Sequence, residues 1–213
     1  MARGRPHALI AGIGAALLCN YWVLEGLLAR RTDLDDSWIS DLAARTQTSD
    51  WRFALLQIAS GLALAGFAWL LLPRLGAPSP TVRRGLLALV ASGLLAALGG
   101  VAPLSCAEGL EASCSLEYDP LDLLHAGANL AEIAATALAF GLVGAGLRRL
   151  APRRAAGAAT LAIGTVWLGL IALTGLSYLS ADVNSVKGLL QRADQLLLGA
   201  WLILLGTWAD RRG

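Results

Sequence analysis

Residues 119–147 read DPLDLLHAGANLAEIAATALAFGLVGAGL, and this stretch decides the fold. From Leu121 onward the run is apolar apart from Asp122, His125, Asn129, Glu132 and Thr136. At about 1.5 Å per residue it is long enough to cross a hydrocarbon core of about 30 Å, which takes about 20 helical residues. On a helix, Asp122, His125, Asn129 and Glu132 fall at spacings of three, four and three and share one face. Two carboxylates, an imidazole and an amide are costly against lipid, so such a stripe turns into a bundle interior or a cavity. The stretch predicts a membrane-spanning helix with its polar face inward. It locates a site without naming a reaction.

The rest of the chain repeats the apolar theme. Of 213 residues, 56% are hydrophobic and 15% charged, against about a quarter charged in a soluble domain. Six segments are long enough to span, at approximately 8–29, 53–73, 83–104, 121–147, 156–178 and 188–209. The fold class predicted is an all-α, six-helix transmembrane bundle forming one domain over 1–213. The opening MARGRPHALIAGIGAALLCNYWVLEGLL has the basic start and apolar run of a secretory signal. It lacks a small-residue cleavage site, so it is read as a retained first helix. Helices are expected to stop at Pro73 and before Pro152, because proline removes a donor and disfavours helix before it.

Charge is strongly segregated. Arg3, Arg5, Arg74, Arg83, Arg84, Arg148, Arg149, Arg153, Arg154, Arg211 and Arg212 fall on one side of the six segments. Most acidic residues, among them Asp33, Asp35, Asp36, Asp41, Glu108, Glu111 and Glu117, fall on the other. The positive-inside rule then puts both termini in the cytoplasm. The sixteen arginines to one lysine, with abundant Ala and Gly, fit a GC-rich bacterial genome, and the expected location is a bacterial inner membrane.

Cys106 and Cys114 bracket a short loop, SCAEGLEASC, on the expected outer face, where oxidation is permitted. A disulfide is the expectation; two free thiols or half of a metal site are the other readings. Cys19, inside the first segment, reads as a packing residue.

The candidate ligand-binding residues are Glu25, Ser40, Asp41, Asp122, His125, Asn129, Glu132 and Asp194. His125 lies about 6 Å inside the outer boundary and Glu132 about 16 Å, near the midplane. Asp194 shares a face of the sixth segment with Gln191 and Gln195. All belong to the outer half, so a shared outward-facing cavity is expected. Three readings stand. The cluster binds or handles a lipid or small molecule. It is the site of a membrane-embedded hydrolase, with His125 as general base oriented by Asp122. Or it is structural, with Glu25, Asp194 and Arg192 or Arg52 neutralising each other. With only His7 and His125, a three-histidine zinc site cannot be built in one chain, and no cofactor or metal is expected. No nucleotide loop, HExxH or nucleophile elbow occurs. The expected partner is the lipid bilayer, not nucleic acid, and the oligomeric state stays open. Outer tryptophans, Trp22, Trp38 and Trp51, fit an interfacial belt. Apolar Trp38, Ile39 and Leu42 are expected to pack downward and carry Ser40 and Asp41 over the mouth of the bundle. There Asp41 would accept a proton from His125 or pair with Arg192.

DDSWISDLAARTQTSDWRF, residues 35–53, runs at once into an apolar helix. This stretch resembles the opening of the bacterial membrane family known as domain of unknown function 998. Members look like six-helix proteins with an I-S-D-L/T signature after the first helix, matched here by Ser37, Ile39, Ser40, Asp41 and Leu42. The family also tends to place a histidine just inside its fourth helix, as His125 is here. More distantly the I-S-D element resembles that of the Frag/DRAM/Sfk membrane proteins, which have been associated with lipid handling. The likeness implies a fold and carries no established activity.

Overall fold

The computed structural model describes residues 7–28, 34–48, 50–111, 114, 119–176, 179 and 185–211. Arg3, Arg5, Asp33, Glu117 and Arg212 lie outside them. Among the described residues seven α-helices follow one another: α1 His7–Cys19, α2 Glu25–Leu28, α3 Asp50–Leu71, α4 Pro80–Val101, α5 Pro120–Arg148, α6 Arg154–Leu176 and α7 Lys187–Asp210. No strand occurs among the described residues. Five helices among the described residues are long and apolar enough to cross a membrane, and the α1–α2 pair makes a sixth if its two arms are one span. The fold class is therefore all-α, as the apolar runs predict.

Helix ends carry their local causes. Ser79 caps α4 by accepting from Val82 N, with Pro80 at the first helical position. Asp119 and Pro120 do the same for α5. A side-chain acceptor takes one of the orphan N–H groups, and proline there lacks a donor that would be orphaned anyway. At Pro73, α3 does not stop dead but widens into a π turn over Leu72–Gly76, which absorbs the missing donor.

The first span departs from expectation. Instead of one helix over 8–29, the chain bends by 56° after Cys19 and continues through a 3₁₀ turn, Tyr21–Leu24, into α2. Asn20 stands at the bend and bonds there through its side chain. Its amide donates to Ala16 O at 2.9 Å and Gln195 O at 3.3 Å, while its Oδ1 accepts from Trp22 Nε1 at 3.2 Å. A short amide side chain that bonds nearby backbone offers the chain an alternative to the helix ladder.

The six spans close into a ring. Each of α3, α4, α5, α6 and α7 packs on its neighbours in sequence, α3 packs on α1, and α7 returns to α1. Asp210 at the end of α7 accepts from Ala8 N and Leu9 N at the start of α1, closing one end of the ring. A carboxylate on the first N–H groups of a helix is favourable for both hydrogen bonding and the helix dipole. The outer wall carries exposed Leu17, Leu27, Leu62, Trp69, Leu130 and Leu138, a surface suited to lipid rather than water.

Small residues set how closely the helices approach. A Cβ on Gly61 would stand 2.4 Å from Gly93 O, so α3 and α4 touch backbone to backbone. Likewise a Cβ on Gly157 would stand 2.3 Å from Arg148 N, and one on Gly164 2.7 Å from Phe140 Cβ. These two pin the first half of α6 to α5. Beyond them, Gly169 and Gly175 have nothing within 4 Å of the same position. The second half of α6 is not held in this way.

Candidate functional site

At the end of the ring that holds the second half of α6, a cavity of about 540 Å³ opens among the helices. Its size falls within the roughly 300–1,000 Å³ of ordinary ligand sites. Every span contributes to the wall: Cys19 from α1, Gln57 and Ser60 from α3, Ala96 from α4, His125 to Thr136 from α5, Trp167 to Gly175 from α6, and Gln191 to Leu198 from α7. The 3₁₀ turn Ile39–Ala43 and the loop after α4 close over it through Ser40, Leu104 and Glu108. Ala126 and Leu130 of α5 and Gly175 of α6 line the cavity and are exposed, so the cavity is open between α5 and α6.

Of the eight residues singled out in the sequence, five line this cavity: Ser40, His125, Asn129, Glu132 and Asp194. His125 is 3% exposed, and its Nδ1 lies 3.0 Å from Gly99 O and 2.9 Å from Ala102 O. Carbonyl oxygens only accept, so Nδ1 carries a proton and donates to both. In the neutral ring the lone pair then sits on Nε2, which has no hydrogen-bond partner among the described residues. Gly99 allows this approach. A Cβ there would come within 2.9 Å of Gln57 Nε2 and 3.3 Å of Asn129 Oδ1, so two amides crowd the same point on α4.

The carboxylates of Glu132 and Asp194 lie within Coulomb range of each other. Neither makes a hydrogen bond or ion pair with a described residue. Asp194 is 2% exposed. Nor do the lining residues include a lysine or arginine. Among the described residues no three His, Cys, Asp or Glu side chains gather as they would around a metal ion.

The other three candidates belong to a separate layer in which each carboxylate has a partner, although Glu25 Oε1 and Arg192 Nε have none among the described residues. Glu25 Oε2 takes Arg192 Nη2 at 2.7 Å. Arg192 Nη1 donates to Leu34 O, Ser37 O and Gly188 O at 2.9–3.1 Å. Asp122 accepts from Ser105 N at 2.7 Å and Ser105 Oγ at 2.6 Å, so it anchors the loop after α4 and does not orient His125. Asp41 is fully buried and accepts from Trp38 N at 2.8 Å, Gly109 N at 3.0 Å and Glu108 N at 3.1 Å.

The turn does fold over the mouth, with Ile39 N donating to Gln191 Oε1 at 2.6 Å. Yet Asp41 points into its own loop and meets neither His125 nor Arg192. A helical-turn carboxylate is surrounded first by nearby N–H groups, and here these win. Burial raises its pKa from 3.8 to about 6, outweighing the three N–H donors that lower it. Outside the ring, Arg45 pairs with Asp119 at the surface and holds its carboxyl below the usual range. Cys106 and Cys114 form a disulfide with Cα atoms 5.7 Å apart. Together with Asp41 and Asp122, it fixes the loop that covers the cavity.

Several wall residues have no site role in the sequence pattern, Gln57 and Trp167 among them. Gln57 is legible as a lone amide in an apolar span, and its Oε1 lacks a partner among the described residues. Trp38, expected both in an interfacial belt and to pack downward, is 7% exposed and lines the cavity. Trp167 gave no signal at all. Its ring packs 5.6 Å from Phe140 on the cavity floor, and its Nε1 has no partner among the described residues.

Residues 10–208 match the family described as Protein of unknown function (DUF998), and the chain belongs to that family. No curated protein and no solved structure matches it.

Proposed function

We propose that this chain is a ligand-handling protein, one transmembrane domain in a bacterial inner membrane with both termini cytoplasmic. Its cavity takes an amphipathic molecule, a lipid or a small lipid-like compound, from the bilayer through the gap between α5 and α6. The observation that carries this reading is a cavity of about 540 Å³ whose wall includes exposed residues of both α5 and α6. A closed polar network would fix helix order without leaving that space. The orientation is supported by the arginine asymmetry of the sequence.

A second reading has its own observation. His125 Nε2, fixed as an acceptor by two carbonyls, is a ready general base, and Ser40 lines the same cavity. That would make the protein a membrane-embedded hydrolase.

Native mass spectrometry of protein extracted from bilayers tests both readings. Wild type should retain amphiphile. Ala126→Trp, which stands an indole in the mouth, should release it while the protein still melts cooperatively. Equal retention in the two would overturn the lateral entry. Conversion of the retained molecule into cleaved product, lost in His125→Ala, would favour the hydrolase.

A further inference from the structure

We infer that the cavity selects a primary ammonium group carried on an apolar chain. This rests on the reading of the cavity as an amphiphile site and names the chemistry it takes. The argument comes from what the wall leaves unmet. His125 Nε2, Gln57 Oε1 and the carboxylates of Glu132 and Asp194 are acceptors without a described partner. Three of these four side chains come from two helices, α5 and α7, facing one space.

Buried acceptors left unpaired are costly, and unpaired carboxylates most of all. The complement is a cation rich in N–H donors. Among the described residues no lysine or arginine lines the cavity to supply it. Arg192, the nearest cation in sequence to Asp194, is committed to Glu25 and three backbone carbonyls. Lys187 pairs with Asp36 at 3.1 Å.

A metal ion fits poorly. A hard cation takes about six or more oxygen ligands at close range, whereas no three acidic, His or Cys side chains gather among the described residues. The cavity is also far larger than an ion. A primary ammonium is a compact point charge with three N–H donors, like that of lysine. It can bond to a carboxylate and a further acceptor while its chain lies against Leu130, Ile133 and Ile171. Of the aromatic residues on the wall, Trp38 already has Lys187 Nζ 5.5 Å from its ring centroid, which leaves Tyr21 and Trp167 for a bound cation. A quaternary ammonium would gain from those two rings but has no donor for the acceptors. Primary should therefore bind better than quaternary, and both better than a neutral alcohol.

The test uses full-length protein in phosphatidylglycerol nanodiscs, titrated with dodecylammonium, dodecyltrimethylammonium and dodecanol by calorimetry. The expected result is dodecylammonium binding about tenfold tighter than dodecyltrimethylammonium, a difference of roughly 1.4 kcal/mol. Glu132→Gln and Asp194→Asn should each remove that preference, and Glu132→Asp, which keeps the charge, should retain it. Thermal melts of the same samples show that each variant is folded.

A further arm adds phosphatidylethanolamine to the discs. Competition with dodecylammonium would name a lipid headgroup as the source of the ammonium; no competition would name a free lipophilic amine. Equal binding of all three amphiphiles, or unchanged preference in both neutral variants, overturns the ammonium assignment and leaves the amphiphile site standing. Binding of none of the three overturns the amphiphile site itself.

Discussion

Two polar layers lie close together at the same end of this ring and behave in opposite ways. In the upper layer, Glu25, Asp41 and Asp122 each have partners: a guanidinium, three backbone N–H groups, and the N–H and hydroxyl of Ser105. In the lower layer, His125 Nε2, Glu132 and Asp194 face a cavity with no described partner. By residue type the two sets look alike. The difference is that the upper layer is near loops, whose backbone donors bend to meet a carboxylate. The lower layer is among spans whose backbone groups are already in helical ladders. Satisfaction holds a loop in place; its absence points to something that enters.

The largest effect should come from breaking the upper layer. Arg192→Leu strands the carboxylate of Glu25, which is 4% exposed, without its partner. Removing one member of a buried ion pair costs about 3–5 kcal/mol. Thermal melting in detergent should show a protein that is barely folded. A melting temperature within error of wild type would mean that the upper layer is not structural.

Asp41 sharpens the comparison by pH. Its carboxyl titrates at about 6 in the fold against an ordinary 3.8, so the folded chain binds the proton more tightly than the unfolded one. The stabilisation is complete below about pH 4 and is lost as pH rises through about 6, amounting to at most about 3 kcal/mol. Wild type minus Asp41→Asn, melted at intervals from pH 4 to 7, should show stability falling with pH. A difference that stays flat or rises would contradict the assignment.

The sequence makes the spans legible because hydrocarbon imposes length and apolarity on any helix that crosses it. It makes the face of α5 legible because helical spacing alone puts Asp122, His125, Asn129 and Glu132 in line. Partners are another matter. Asp122 and His125 are one helical turn apart, yet one bonds Ser105 and the other bonds Gly99 and Ala102. Nothing in the spacing says which loop will lie beside which turn. The bend after Cys19 was hidden for a similar reason, since Asn20 reaches Gln195, 175 residues away. Trp167 was hidden because a tryptophan in an apolar run has the same pattern whether it meets lipid or lines a cavity.

The smallest change in stability is expected where the effect on binding is largest. Glu132 is half-buried and bonds to no described residue, so Glu132→Gln breaks no contact and should melt at or slightly above wild type.

The most direct measurement sets Glu132→Gln beside Glu25→Gln, reading melting temperature and retained amphiphile on the same preparations. The account predicts that Glu25→Gln loses stability and, where folded, keeps its amphiphile, while Glu132→Gln keeps stability and loses it. A Glu132→Gln protein that unfolds early and still retains its amphiphile would contradict the division between the two layers.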